Sequence, residues 1–111
     1  MKTDFEKIDD EQCLAFTGAI EFAGKRWSGS VLMAIARGAT RFGQITASVA
    51  GLSDRMLAQR LREFEREGLV EREVIATTPV QINYHLTAKG TDLLESLQPL
   101  TAFTQRWRNS P

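Results

Sequence analysis

The sequence predicts a mostly helical α+β fold. Three observations carry that prediction. Four successive segments space their apolar residues as helices do, a single switch to β-branched, period-2 patterning follows Gly68, and helical spacing returns after Thr87. The chain has 111 residues, room for one compact domain spanning 1–111. No repeat, low-complexity tract or Pro/Gly/Ser-rich linker divides it.

The first predicted helix runs from about Asp9 to Ala23, with Leu14, Ile20 and Phe22 among its apolar positions. Trp27 to about Arg37 forms a second, more apolar helix through Val31, Leu32 and Ile35, and Gly38 is placed to end it. Thr40-Arg41 makes an extended step into a short third helix carrying Phe42, Ile45 and Val49, and Gly51 marks the turn after it. Ser53 caps a fourth helix. Its hydroxyl suits a free first-turn amide, and Asp54 suits the positive end of the helix dipole. This helix runs to about Glu67 and stops at Gly68.

Leu69 to Ile75 and Val80 to Leu86 read as the two strands of a hairpin, joined by Ala76-Thr77-Thr78-Pro79. In the second strand Val80, Ile82, Tyr84 and Leu86 are expected on one buried face, with Gln81, Asn83 and His85 opposite. Thr87 restarts helix, and Leu93, Leu94, Leu97 and Leu100 extend an apolar stripe toward Phe103 and Trp107. Pro99 is expected to kink or interrupt that stripe near Leu97. A helix-turn-helix pair (41–67) followed at once by a hairpin (69–86) is the order of a winged helix-turn-helix, here with an additional helix at each end. The apolar excess of those flanks, about 9–23 and 91–107, is more than so small a domain should bury alone, so both are expected to be dimerisation helices of a homodimer.

Composition narrows the function. A hydrophobic fraction of 42% and a charged fraction of 25% are those of a soluble globular chain. The acidic start (Asp4, Glu6, Asp9, Asp10, Glu11) lacks the pattern of a signal peptide, and no apolar run approaches the roughly 20 residues that cross a bilayer. The one cysteine, Cys13, cannot form an intramolecular disulfide, so a cytoplasmic location and no membrane partner are expected. One cysteine and one histidine, far apart in sequence, give neither a zinc spacing nor a nucleophile–base pair, and no phosphate-cradling glycine loop is present. No enzyme activity, catalytic residue, metal or cofactor is therefore expected. His85 is expected at the surface supporting the hairpin, and Trp27, Phe42 and Tyr84 in the core.

Fourteen Lys/Arg against fourteen Asp/Glu leave no net charge, so any nucleic-acid binding must rest on where the charges sit. On the fourth helix Leu57, Leu61 and Phe64 share one side, while Arg55, Gln59, Arg62 and Arg66 fall opposite. An outward stripe of Arg and Gln suits major-groove readout, because Arg pairs bidentately with guanine and Gln with adenine. The end nearest Ser53 enters the groove deepest, which makes Ser53, Arg55, Met56 and Gln59 the candidate base contacts. Arg60 and Arg62 are candidates for phosphates, and Arg41 and the hairpin-tip residues Thr77 and Thr78 complete the candidate DNA-contact set. The bland alternative is a solvated helix face laced with Arg–Glu pairs, or a winged helix that serves only as a protein-interaction module.

Several stretches together resemble the HxlR-type bacterial winged-helix regulators. They are Gly24-Lys25-Arg26-Trp27, Arg41-Phe42, Leu52-Ser53 followed by Leu57-Ala58-Gln59-Arg60-Leu61-Arg62-Glu63, then Gly68-Leu69-Val70-Glu71-Arg72 and Tyr84-His85-Leu86-Thr87-Ala88-Lys89-Gly90. The similarity runs from about Phe22 to Leu94. It implies a homodimer built from both terminal helices, a recognition helix beginning at Ser53, a wing between Val74 and Val80, and a role in regulating transcription from double-stranded DNA. Some members of that family sense electrophiles or oxidants through an N-terminal cysteine, a role that would fall to Cys13; any small-molecule effector is unspecified. Cys13 sits one residue further from Trp27 than the family's cysteine, which rotates a helical position by about 100°, and Leu14 stands where the family has proline.

Overall fold

The structure, a computed structural model, describes residues 4–108. A 3-10 turn at Phe5–Lys7 precedes α1 (Asp10–Ala23), α2 (Ser28–Ala36), α3 (Phe42–Ser48) and α4 (Asp54–Arg66). β1 (Val70–Ile75) and β2 (Gln81–Leu86) follow, then α5 (Ala88–Leu97) and α6 (Pro99–Trp107). This is the mostly helical fold with a small antiparallel sheet that the periodicity predicts. The 3-10 turn has no counterpart in the sequence reading, since three residues are too few to show a period.

Local chemistry sets the helix boundaries. Asp9 caps α1 by accepting from the Gln12 amide at 2.8 Å, while the Gln12 side chain accepts from the Asp9 amide at 3.0 Å, a reciprocal capping box. α2 and α4 both end in the paired bonds of a Schellman turn. Ala39 and Gly38 donate to the Ala34 and Ile35 carbonyls, and Leu69 and Gly68 donate to those of Phe64 and Glu65. Both glycines have positive φ, 109° and 74°, which explains the stops at Gly38 and Gly68. Pro99 ends α5 and occupies the first turn of α6, where its missing N–H costs no helix bond.

The core gathers Val31, Leu32 and Ile35 of α2, Ile45 of α3, Leu57, Leu61 and Phe64 of α4, Leu69 and Val70 entering the hairpin, and Leu94 of α5. Trp27, Phe42 and Tyr84 pack against it half-buried. The hairpin pairs Val70 with Leu86 through to Ile75 with Gln81. Tyr84 also donates its amide to the Thr40 carbonyl at 2.8 Å, so the extended step before α3 adds one rung to the sheet. The expected one-sided burial of β2 is only partly realised. Ile82, Tyr84 and Leu86 are half-buried, but so are Gln81 and Asn83, and Val80 is 59% exposed. A two-stranded ribbon whose tip projects beyond the helices has nothing to cover its outer end.

Thr87 stitches α5 to the end of α4. Its hydroxyl accepts from the Gly90 amide at 3.0 Å and donates to the Gly68 carbonyl at 2.6 Å. A Cβ at Gly90 would collide with the Leu69 carbonyl, so this approach of α5 to β1 requires glycine. The terminal helices stand apart from this body. Every residue of α1 from Asp10 to Glu21 is exposed, as is all of α6, and the principal extents are 58 × 36 × 23 Å.

Candidate nucleic-acid interface

The helix-turn-helix consists of α3, the turn through Gly51, and α4. Gln44 holds the start of α3 by accepting from the Thr40 and Arg41 amides at 3.1 and 3.0 Å, and Arg41 is exposed. Ser53 caps α4 by accepting the Met56 amide at 3.1 Å. Thr46 of α3 donates to the Asp54 carboxylate at 3.4 Å, tying the two helices at the turn.

α4 has a sharply divided surface. Leu57 and Phe64 are fully buried and Leu61 nearly so, whereas Arg55, Gln59, Arg62 and Arg66 are exposed. At 100° per residue these four lie roughly 140–200° from Leu57, a single outward stripe. Among the described residues Arg55, Arg62 and Arg66 form no ion pair. The face is therefore a row of unneutralised guanidinium groups around one carboxamide, not a lattice of Arg–Glu pairs. Such a row has both the donors for base edges and the charge for phosphates.

Two members of the expected contact set point elsewhere. Arg60 is a correction: it is 8% exposed and is not free to meet a phosphate. Its Nε donates to the Arg26 carbonyl at 2.9 Å and its Nη1 to Glu63 Oε1 at 3.0 Å. The signal was present in the sequence, because Arg60 follows Leu57 by three residues and precedes Phe64 by four, on the edge of the apolar arc. Met56 is half-buried against the core, about 100° from Leu57, so its side chain lies at the border of the outward stripe. The contacts of Arg60 with the Arg26 carbonyl and Glu63, and of the Lys25 ammonium with the far oxygen of Glu63, were not singled out from sequence; only the burial of Arg60 reveals them.

At the tip of the hairpin Thr77 and Thr78 are both exposed, and the Thr77 hydroxyl donates to the Pro79 carbonyl at 2.7 Å. His85 lies on the exposed side of β2 with Nε2 3.3 Å from Glu73 Oε1 across the ladder, the supporting position expected of it. Cys13 is exposed on the first turns of α1, near Phe5, Ile8 and Phe16, which line an open cavity of about 520 Å³ with it. Among the described residues no three His, Cys, Asp or Glu side chains cluster as a metal site, and no helix is long and apolar enough to cross a membrane.

The sequence model of the HxlR-like helix-turn-helix family matches residues 22–111. The chain belongs to this family. The uncharacterized HTH-type transcriptional regulator YvaP of Bacillus subtilis is 39% identical over 97 residues, covering 87% of this chain and 90% of YvaP. The HTH-type transcriptional regulator YodB of the same organism is 38% identical over 100 residues, covering 90% of this chain and 89% of YodB. The structure of reduced YodB matches with a TM-score of 0.75 at 35% identity, over 93% of this chain and 97% of that one. Quinone-bound YodB matches with a TM-score of 0.72 at 35% identity, over 85% of this chain and 99% of that one. The protein is thus an HxlR-family transcriptional regulator with the winged helix-turn-helix fold.

Proposed function

We propose that the protein is a homodimeric, cytoplasmic regulator that binds double-stranded DNA in a sequence-specific way through α4 and responds to electrophiles through Cys13. The observation that carries the DNA reading is the unpaired stripe of Arg55, Gln59, Arg62 and Arg66 on the second helix of a helix-turn-helix. Ser53, Arg55 and Gln59 then face base edges, Arg41 and Arg62 face phosphates, and Thr78 with the tip backbone adds a phosphate contact from the wing. The homodimer reading rests on the terminal helices 9–23 and 91–107. Leu14, Phe16 and Ile20 on α1 and Leu100, Phe103 and Trp107 on α6 are all more than half exposed, a density of large apolar groups that water disfavours.

Cys13 suits an electrophile because it is exposed, and Phe5, Ile8 and Phe16 give its cavity apolar side chains for a ring beside the polar Asp9, Asp10 and Gln12. A quinone there would accept the Cys13 sulfur at a ring carbon. The C–S bond forms as a ring C=C π bond breaks, and the electron pair moves to the conjugated carbonyl oxygen, which takes the thiol proton. The proton on the attacked carbon shifts to the second oxygen, leaving a hydroquinone thioether with no outside oxidant. The DNA reading is tested by selecting bound sequences from a random duplex pool: a recurrent site with two related halves is expected, and recovery of unrelated sequences would refute it. Intact-mass measurement after benzoquinone treatment should show one adduct that lowers affinity for that site, absent in Cys13→Ser; an unmodified Cys13 would remove the sensing role.

A further inference from the structure

The polypeptide turns from α1 into α2 through an elbow, Gly24 to Trp27, and that elbow is fastened to α4 at two points. The first is the buried Arg60, whose Nε holds the Arg26 carbonyl at 2.9 Å. Glu63 completes this clasp, accepting Arg60 Nη1 at 3.0 Å on one oxygen and Lys25 Nζ at 3.4 Å on the other. The second is Trp27, which has a left-handed φ of 75° and whose ring tip would lie 3.3 Å from a Cβ at Gly51, the turn leading into α4. The Arg26 guanidinium stacks 4.9 Å from the centre of the same ring. Two fastenings, one at the start of α4 and one at its middle, fix a direction as well as a position.

The clasp differs from an ordinary surface ion pair. The side chains of Arg60 and Glu63 are 10% and 13% exposed. A hydrogen-bonded charge network with that little water has few alternative geometries, whereas exposed pairs are loose and contribute little. α1, by contrast, has almost no support of its own: only Phe22 and Ala23, in its last turn, are half-buried. The elbow therefore decides where α1 points relative to α4.

We propose that Arg60 and Glu63 are positioning residues that set the separation between the two DNA half-sites the dimer accepts. This rests on the DNA-binding homodimer proposed above. If α1 joins the protomers and α4 reads the groove, the angle between them determines how far apart the two copies of α4 stand. The lever is long enough to matter. α1 has 14 residues. A helix of that length spans about 21 Å, and a rotation of about 10° at the elbow moves its far end nearly 4 Å, close to the ~3.4 Å rise of one base step. Holding register to one base pair thus requires an elbow stiff to within about that angle.

The test uses the double variant Arg60→Met/Glu63→Met in the full chain, which removes both charges together, leaves no buried ion without its partner and keeps the side-chain length. Affinity is measured for the selected site, for the same site with one base pair inserted or deleted between the halves, and for a single half-site. The wild type should reject misspaced sites by about tenfold or more and the double variant by about threefold or less, with half-site affinity changed by no more than about twofold. A merely structural role would lower the folded fraction and weaken every DNA equally, leaving the spacing ratio intact. A folded, dimeric double variant with the wild-type ratio overturns the proposal. If the double variant does not fold, Arg60→Lys keeps the charge beside Glu63 but removes the Nε donor to the Arg26 carbonyl, and an unchanged ratio there has the same consequence. Wild-type protein that binds no selected duplex would instead overturn the DNA reading beneath it.

Discussion

Arg60→Ala and Arg62→Ala, two residues apart on α4, should fail in different assays. Arg60 is 8% exposed and carries two hydrogen bonds, so truncation strips the Arg26 carbonyl of its donor and Glu63 of its closer cation. Removing one partner of a buried pair costs about 3–5 kcal/mol. Glu63 keeps Lys25 at 3.4 Å, which places this case at the lower end, about 3 kcal/mol. For a domain of this size each kcal/mol shifts Tm by about 4 °C, so thermal unfolding followed by circular dichroism should show a drop of about 12 °C. Arg62 is exposed and, among the described residues, unpaired, so its truncation should change stability by no more than about 0.5 kcal/mol. Instead, affinity for all duplexes should fall and the slope of log K against log salt should shrink by about 1, the signature of one lost phosphate contact. Were Arg60→Ala to melt within about 2 °C of wild type while losing salt slope, Arg60 would be meeting DNA and not holding the elbow.

Arg55→Ala and Gln59→Ala should each lose about 1–3 kcal/mol of preference for the selected site, with unchanged Tm, in competition binding against single-base variants of the site. Phe103→Glu should convert the dimer to monomer in light scattering at micromolar concentration, because it places a charge within the exposed apolar face of α6; a wild-type monomer would remove the dimer altogether. Thr77→Ala/Thr78→Ala should weaken selected and scrambled duplexes about equally and leave the salt slope alone, since no cation is lost. A loss confined to the selected site would show that the wing reads sequence or shape.

The fold was legible because its signals are local and repeated. Leu57, Leu61 and Phe64 mark one face of α4, and Gly38, Gly68 and Ser53 mark boundaries through backbone chemistry that needs no tertiary context. The outward stripe was legible for the same reason, being the complement of the apolar one. Arg60 was misplaced because charge alone suggested a phosphate contact. Its fate was set by the Arg26 carbonyl and Glu63, and a partner 34 residues away leaves no periodic trace. Thr77 was similarly hidden: its hydroxyl is occupied by Pro79, a bond that depends on the conformation of the tip. The half-burial of Gln81 and Asn83 came from helices packing near a narrow ribbon, which strand alternation cannot report.

The proposed readout of double-stranded DNA by the exposed face of α4 can be measured at equilibrium. The most direct measurement is equilibrium affinity for the selected duplex and a scrambled one of equal length, from about 50 to 200 mM salt. A preference for the selected site of about 10³ or more is expected, with log K falling linearly against log salt for both. Equal affinity for the two duplexes, or binding indifferent to salt, would contradict it and leave the winged helix as a surface for another protein.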